Sequence, residues 1–178
     1  MLNWLKKILD IRDPAALKLG LAESIEHTFL GALVPHPILK QRLVGYVMQD
    51  GLSVEIDIAP DDATMADALT LAELAVRSLS SIDAKSRIML AADSLDAYNS
   101  DWRFGEIMRD DGSKKPFEKP LLSKDEFCAN FQLKSIEALG KSTVTLWYSD
   151  SDMFWGHDFF VTSFDGLEFT DTHVSMAG

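Results

Sequence analysis

Leu43-Val44-Gly45-Tyr46-Val47-Met48-Gln49-Asp50-Gly51-Leu52-Ser53-Val54-Glu55-Ile56-Asp57-Ile58-Ala59 holds two strand-like runs on either side of Asp50-Gly51. That dipeptide accepts the positive φ angles of a two-residue turn, so the segment predicts a β-hairpin. In the second run Val54, Ile56 and Ile58 alternate with Ser53, Glu55 and Asp57. Side chains along a strand alternate between faces, so one face is buried and the acidic one meets solvent.

Downstream, Pro60-Asp61-Asp62 punctuates the chain, and either aspartate can cap a helix running to about Leu79. Met65, Leu69, Ala72, Val76 and Leu79 form its apolar stripe. Ser80-Ser81 offers a break, and a second helix from Ile82 to about Tyr98 carries Ile88, Met89, Ala92, Leu95 and Asn99 on neighbouring turns. Arg103 to Pro120 reads as a polar, charge-mixed loop, either a recognition arm or a solvated insertion. Ser123 and Glu126 make a capping-box pattern that opens a short helix through Phe131. Strands at 133–139, 142–148 and 153–164, with a last short one at 167–174, complete an antiparallel meander.

Upstream, Leu2, Leu5, Ile8 and Leu9 recur at helical spacing beside Trp4, so 1–11 predicts a short amphipathic helix that docks on the domain or mediates self-association. Residues 15–21 suggest a second helix and 27–33 a strand. The expected fold is therefore α+β: an N-terminal helical extension (1–35), then a single domain (36–178) of β-hairpin, helix pair and C-terminal antiparallel meander packed by helices.

At 178 residues with 47% apolar composition, the chain is long enough to bury a core without covalent staples. The single cysteine, Cys128, excludes an internal disulfide and a zinc-cysteine cluster, which fits the cytoplasm. Residues 1–10 lack the continuous apolar stretch of a signal peptide, and no apolar run approaches the roughly 20 residues of a membrane span. The net charge of −11 is unevenly spread: +2 over 1–45, −8 over 46–101, +1 over 102–142 and −6 over 143–178. Such fields repel nucleic acid and anionic lipid and speed encounter with a basic protein.

The densest polar and aromatic cluster is Trp147-Tyr148-Ser149-Asp150-Ser151-Asp152-Met153-Phe154-Trp155-Gly156-His157-Asp158. If 153–161 is extended, Trp155 and His157 share a face. Asp150 or Asp152 with His157 has the residue types of a general acid/base pair, since imidazole titrates near neutrality and a carboxylate can fix its tautomer. The structural reading is preferred: the aspartates and serines hydrogen-bond the turn backbone while His157 packs on Trp155. An EF-hand starting at Asp150 is excluded, because Trp155 stands where glycine is needed and Val161 where the bidentate glutamate belongs. No zinc spacing, P-loop or nucleophile elbow occurs, so no metal and no cofactor are expected. A second cluster, Asn99 with Trp102, sits at a predicted helix end.

From about His36 to Gly178 the chain resembles a bacterial family of unknown function. Its C-terminal signature reads approximately Asp-Asp-Gly-Asp-Leu-Phe-Trp-Gly-His, followed by an apolar strand and a closing Ala-Gly. Here the run is Ser149-Asp150-Ser151-Asp152-Met153-Phe154-Trp155-Gly156-His157, and Ala177-Gly178 follows. Asn99 and Trp102 occupy the family's Asn-x-x-Trp position, while Ser149 and Ser151 depart from its aspartate and glycine. Similar small acidic bacterial proteins are often immunity proteins, so the resemblance implies a non-enzymatic inhibitor of a cationic toxin domain. Binding would then involve Asp150, Asp152, Trp155, His157, Asn99 and Trp102. The alternatives are a small hydrolase or transferase using Asp152 and His157, and a self-associating structural module.

Overall fold

The computed structural model describes residues 24–49 and 51–178. Its elements are β1 (Ile25–His27), β2 (Gly31–Pro35), β3 (Leu43–Gln49), β4 (Leu52–Ala59), α1 (Met65–Arg77) and α2 (Leu79–Ala97). A π turn (Tyr98–Trp102), β5 (Phe104–Met108), β6 (Lys114–Glu118) and α3 (Lys124–Ala129) come next. The chain closes with β7 (Gln132–Leu139), β8 (Thr143–Ser149), β9 (Asp158–Ser163) and β10 (Thr172–Ala177). The helices expected at 1–11 and 15–21 lie outside the described residues.

Eight strands form one sheet in the order β1-β2-β3-β4-β7-β8-β9-β10, and β5 with β6 makes a separate two-stranded arm. Every neighbouring pair in the large sheet is antiparallel except β4 with β7, which run parallel with Ile56 opposite Ile136 and Asp57 opposite Glu137. Parallel neighbours need a long crossover. The segment between them supplies α1 and α2, both laid on the same face of the sheet. Ile56, Ile58, Ile136, Leu146 and Val161 point to that face and pack with Ala68, Leu69, Ala72 and Ala75 of α1 and Ile82 and Leu90 of α2.

This arrangement overturns the expected α+β layout of a β-hairpin, a helix pair and a C-terminal antiparallel meander packed by helices. The hairpin and meander are one sheet, and strand outweighs helix, 39% to 28% of the described residues. α1 and α2 are consecutive, with Ser78 as C-cap of the first and N-cap of the second. They pack on the sheet far more than on each other. Residues 25–35 contribute its outer antiparallel hairpin, so the strand expected at 27–33 is broken by a turn at 28–30.

Local corrections have local causes. α1 is capped by Thr64 instead of Asp61 or Asp62: the Thr64 hydroxyl accepts from Asp67 N (3.2 Å), and the Asp67 carboxylate accepts from Thr64 N (3.1 Å). The Asp67 carboxylate also accepts from the Thr64 hydroxyl (2.7 Å), and this bond first, then the one from Thr64 N, holds the Asp67 carboxyl below its ordinary pKa. The buried face of α2 is Leu79, Ile82, Ser86, Leu90, Ala91 and Ser94, leaving Ile88 52% exposed. Arg103 to Pro120 is ordered as an antiparallel ribbon, with Gly105 opposite Phe117 and Ile107 opposite Lys115. Ser123 and Glu126 do form the capping box of α3.

Candidate functional site

The turn from Asp150 to His157 is built on one buried carboxylate. Asp150 is 2% exposed, and its side chain accepts from the amides of Asp152 (2.9 Å) and Phe154. Ser151, Asp152, Trp155 and Gly156 all take positive φ (48°, 66°, 63° and 81°), so the strand expected from 153 begins only at Asp158. Left-handed backbone at a tryptophan is strained, and it persists where the surroundings over-determine it. Here Phe154 is driven into the core against Phe159 (4.7 Å between ring centroids) and Trp102 (5.2 Å).

The same turn secures the arm. Trp155 meets the Phe117 ring edge-on (5.3 Å) and lies beneath the Lys119 ammonium (4.6 Å), which also donates to the Asp152 carbonyl. Gly105 leaves the space that the indole fills, since a Cβ there would stand 2.4 Å from Trp155 Cη2. The Asn99 amide donates to the Leu122 carbonyl (2.9 Å) and accepts from the Leu122 amide (3.0 Å), pinning the returning end of the arm. Arg103 donates to the carbonyls of Asn99 (2.9 Å) and Lys119 (3.1 Å) and to the Glu118 carboxylate.

His157 donates from Nδ1 to the Phe154 carbonyl and packs edge-on against Trp102 (5.5 Å). The structure thus brings together Asn99, Trp102, Asp150, Asp152, Trp155 and His157, around the base of the arm. It does not put Trp155 and His157 on one strand face. The Asp152 carboxylate faces Lys119 (3.5 Å), and among the described residues no hydrogen bond joins His157 to Asp150 or Asp152. A backbone carbonyl, instead of a carboxylate, orients the imidazole.

A cleft of about 280 Å³ borders the turn at Ser151, between the β3–β4 end, α2 and the start of β7, and is also lined by Asp83, Arg87, Asn130 and Phe131. Its charges are already engaged: Arg87 holds Asp83 (2.9 Å) and the carbonyls of Cys128 (2.6 Å) and Phe131 (2.7 Å), and the Tyr148 hydroxyl donates to Asp83 (2.8 Å). Burial, aided by the Asp83 charge, pushes the Tyr148 phenol well above its ordinary pKa. No group of three or more His, Cys, Asp or Glu suited to a metal occurs among the described residues. Nor is any described helix long and apolar enough to cross a membrane.

No described element covers the sheet face opposite the helices, although Asp57, Thr145 and Thr162 on it are buried among their neighbours. Strand register places two polar rows across it. One runs Tyr46, Glu55, Ser135, Trp147, Phe160, Ser175 and the other Val44, Asp57, Glu137, Thr145, Thr162, His173. Tyr46 is 64% and Met48 69% exposed. Tyr46 donates to Glu55 (2.9 Å), which raises the phenol's pKa, and Trp147 stacks on Phe160 (4.4 Å). Arg42 reaches over β4 to Asp57 (2.7 Å) and Glu137 (3.1 Å). Burial alone would lower its pKa, but the two carboxylates outweigh this and raise it.

Glu55, Asp57, Glu137 and Ser135 were not singled out as a site by sequence reasoning, which placed Trp147 only in the cluster that runs to Asp158. The signal was the alternation in 52–59, which marks a polar face without showing whether anything covers it.

A family described as "Uncharacterized protein conserved in bacteria (DUF2262)" matches residues 45–174, which span the sheet core, the helices, the arm and the Asp150–His157 turn. No curated protein and no solved structure matches the chain. The chain belongs to that family.

Proposed function

We propose that this member of an uncharacterised bacterial family is a non-enzymatic binding protein of the immunity type, which holds a cationic toxin domain against the uncovered face of its sheet. One observation carries the reading: the helices occupy a single face of the eight-stranded sheet, and the other face sets the half-buried carboxylates of Glu55 and Glu137 beside the exposed Tyr46 and the half-buried Trp147 and Phe160. With strands about 4.8 Å apart and about 3.3 Å per residue, that face measures on the order of 40 by 20 Å. This is about the 800 Å² per partner of a specific protein interface. The net charge of −11 steers a basic partner toward it, and the aromatics supply anchors. The Asp150–His157 turn secures the arm and needs no turnover chemistry.

The test uses the full chain as bait in cells of its source, beside a Glu55→Lys/Glu137→Lys variant. The wild type is expected to retain a basic protein at about 50 mM salt, to neutralise that protein's toxic activity, and to release it near 500 mM, since charge screening shortens from about 14 Å to about 4 Å. The variant should retain none. Retention indifferent to both salt and variant would overturn the reading.

A further inference from the structure

We propose that the uncovered face contains a receptor for one arginine side chain of the partner, floored by Ser135; this rests on the cationic-partner reading above. Ser135 lies between Glu55 on β4 and Trp147 on β8 in the same row, so a short side chain separates a carboxylate from an indole. Glu137 stands two residues along β7 on the same face, with Asp57 beside it. The walls are already oriented. Tyr46 holds Glu55 at 2.9 Å, and Phe160 backs the Trp147 ring at 4.4 Å with 33° between planes.

The charges there are incompletely met. Among the described residues, Glu55, Asp57 and Glu137 face a single cation, Arg42, which bonds Asp57 and Glu137 but not Glu55. Asp57 is 8% exposed, and its Oδ1 is closed to solvent with no hydrogen-bond partner among the described residues. A buried acceptor without a donor is costly, and carboxylates directly opposite across a ladder repel. One more cation on this face relieves that repulsion.

Arginine fits better than lysine. Its planar guanidinium stacks on an indole while its fork reaches carboxylates on either side, and it sheds water more readily than an ammonium. A second copy of the chain is disfavoured as the occupant, because two molecules of charge −11 repel.

Calorimetric titration of the full chain at low salt with acetyl-hexaarginine amide and acetyl-hexalysine amide tests this. Hexaarginine is expected to bind more tightly than hexalysine. Glu55→Gln/Glu137→Gln should weaken hexaarginine by about tenfold or more, as loss of charge-assisted pairs requires. Asp96→Asn/Glu168→Gln removes the same charge from exposed sites elsewhere and should weaken it by about twofold or less. Trp147→Phe should retain binding and Trp147→Leu lose it, with circular dichroism reporting the fold of each. Equal weakening by both charge pairs, or equal binding of both peptides, overturns the receptor while leaving cationic capture standing. Failure of the wild type to bind either peptide overturns both. Tighter hexaarginine binding after removal of residues 1–13 would assign the receptor to Lys6, Lys7 or Arg12 of the chain itself and overturn a partner's arginine there.

Discussion

Asn99→Ala distinguishes an arm-holding role for the Asn99/Trp102 cluster from a chemical one. The substitution removes two part-buried hydrogen bonds, to the Leu122 carbonyl at 2.9 Å and from its amide at 3.0 Å. Each contributes about 0.5–1.5 kcal/mol net, and the half-buried Leu122 groups left unpaired add to the loss, so the expected destabilisation is about 2–3 kcal/mol. For a chain of this length that lowers Tm by roughly 4–12 °C. Urea unfolding followed by tryptophan fluorescence gives the global value. Amide hydrogen exchange locates it: protection should fall first in β5, β6 and residues 119–122, while β4 and β7 keep theirs. A loss under about 0.5 kcal/mol with unchanged exchange in the arm would refute the reasoning.

Gly105→Ala drives a methyl group to 2.4 Å from Trp155 Cη2 and 2.8 Å from a Phe117 ring carbon, so it should cost about 1–3 kcal/mol, with much of the loss recovered when Trp155→Leu is added; additive losses in the double-mutant cycle would contradict this. Asp165 accepts from the Thr170 and Ser163 hydroxyls and from the amides of Thr170 and Asp171, which hold its carboxyl well below the ordinary range. Its contribution to stability is therefore complete above the unfolded-state value of about 3.9 and is lost as pH falls below it toward the lower folded-state value. Asp165→Asn should flatten the acid limb of urea midpoints measured from pH 5 to pH 2, and parallel curves would count against the assignment. All three tyrosines are raised, Tyr46 by its bond to Glu55, Tyr98 by burial and Tyr148 chiefly by burial. Ultraviolet titration should show none ionising at the ordinary value, with Tyr148 last, and Glu55→Gln should return Tyr46 alone toward it; a Tyr46 unmoved by that change would remove the Glu55 contact.

Features that depend on a few neighbouring residues were legible in the sequence. The Ser123/Glu126 capping box and the two-residue separation of β3 and β4 follow from local rules. Other local signals misled. Asp61 and Asp62 drew the N-cap away from the Thr64/Asp67 pair, and the serines on the buried face of α2 shifted its stripe toward Ile88. In the arm, Gly105, Pro116 and mixed charge disguised paired strands. Trp155, a poor candidate for left-handed backbone, hid the turn that interrupts the predicted strand.

The parallel junction of β4 with β7 had no local signature, because it joins segments separated by two helices and the arm. That junction also puts Glu55 next to Ser135 and Asp57 next to Glu137. The acidic alternation of β4 was visible in the sequence, but its partners on β7 and β8 were not. The Asp150–His157 residues were visible as a cluster, yet their hydrogen bonds to one another's backbone emerge only when the turn closes.

The most direct measurement of cationic capture by the uncovered face is a backbone amide shift map of the nitrogen-15-labelled chain titrated with acetyl-hexaarginine amide. The predicted result is a contiguous set of shifts at Tyr46, Glu55, Ser135, Glu137 and Trp147, diminishing as salt is raised, with α1 and α2 unmoved. Shifts spread over acidic residues of the helices and the 165–171 loop, or centred on Asp150–His157, would contradict it.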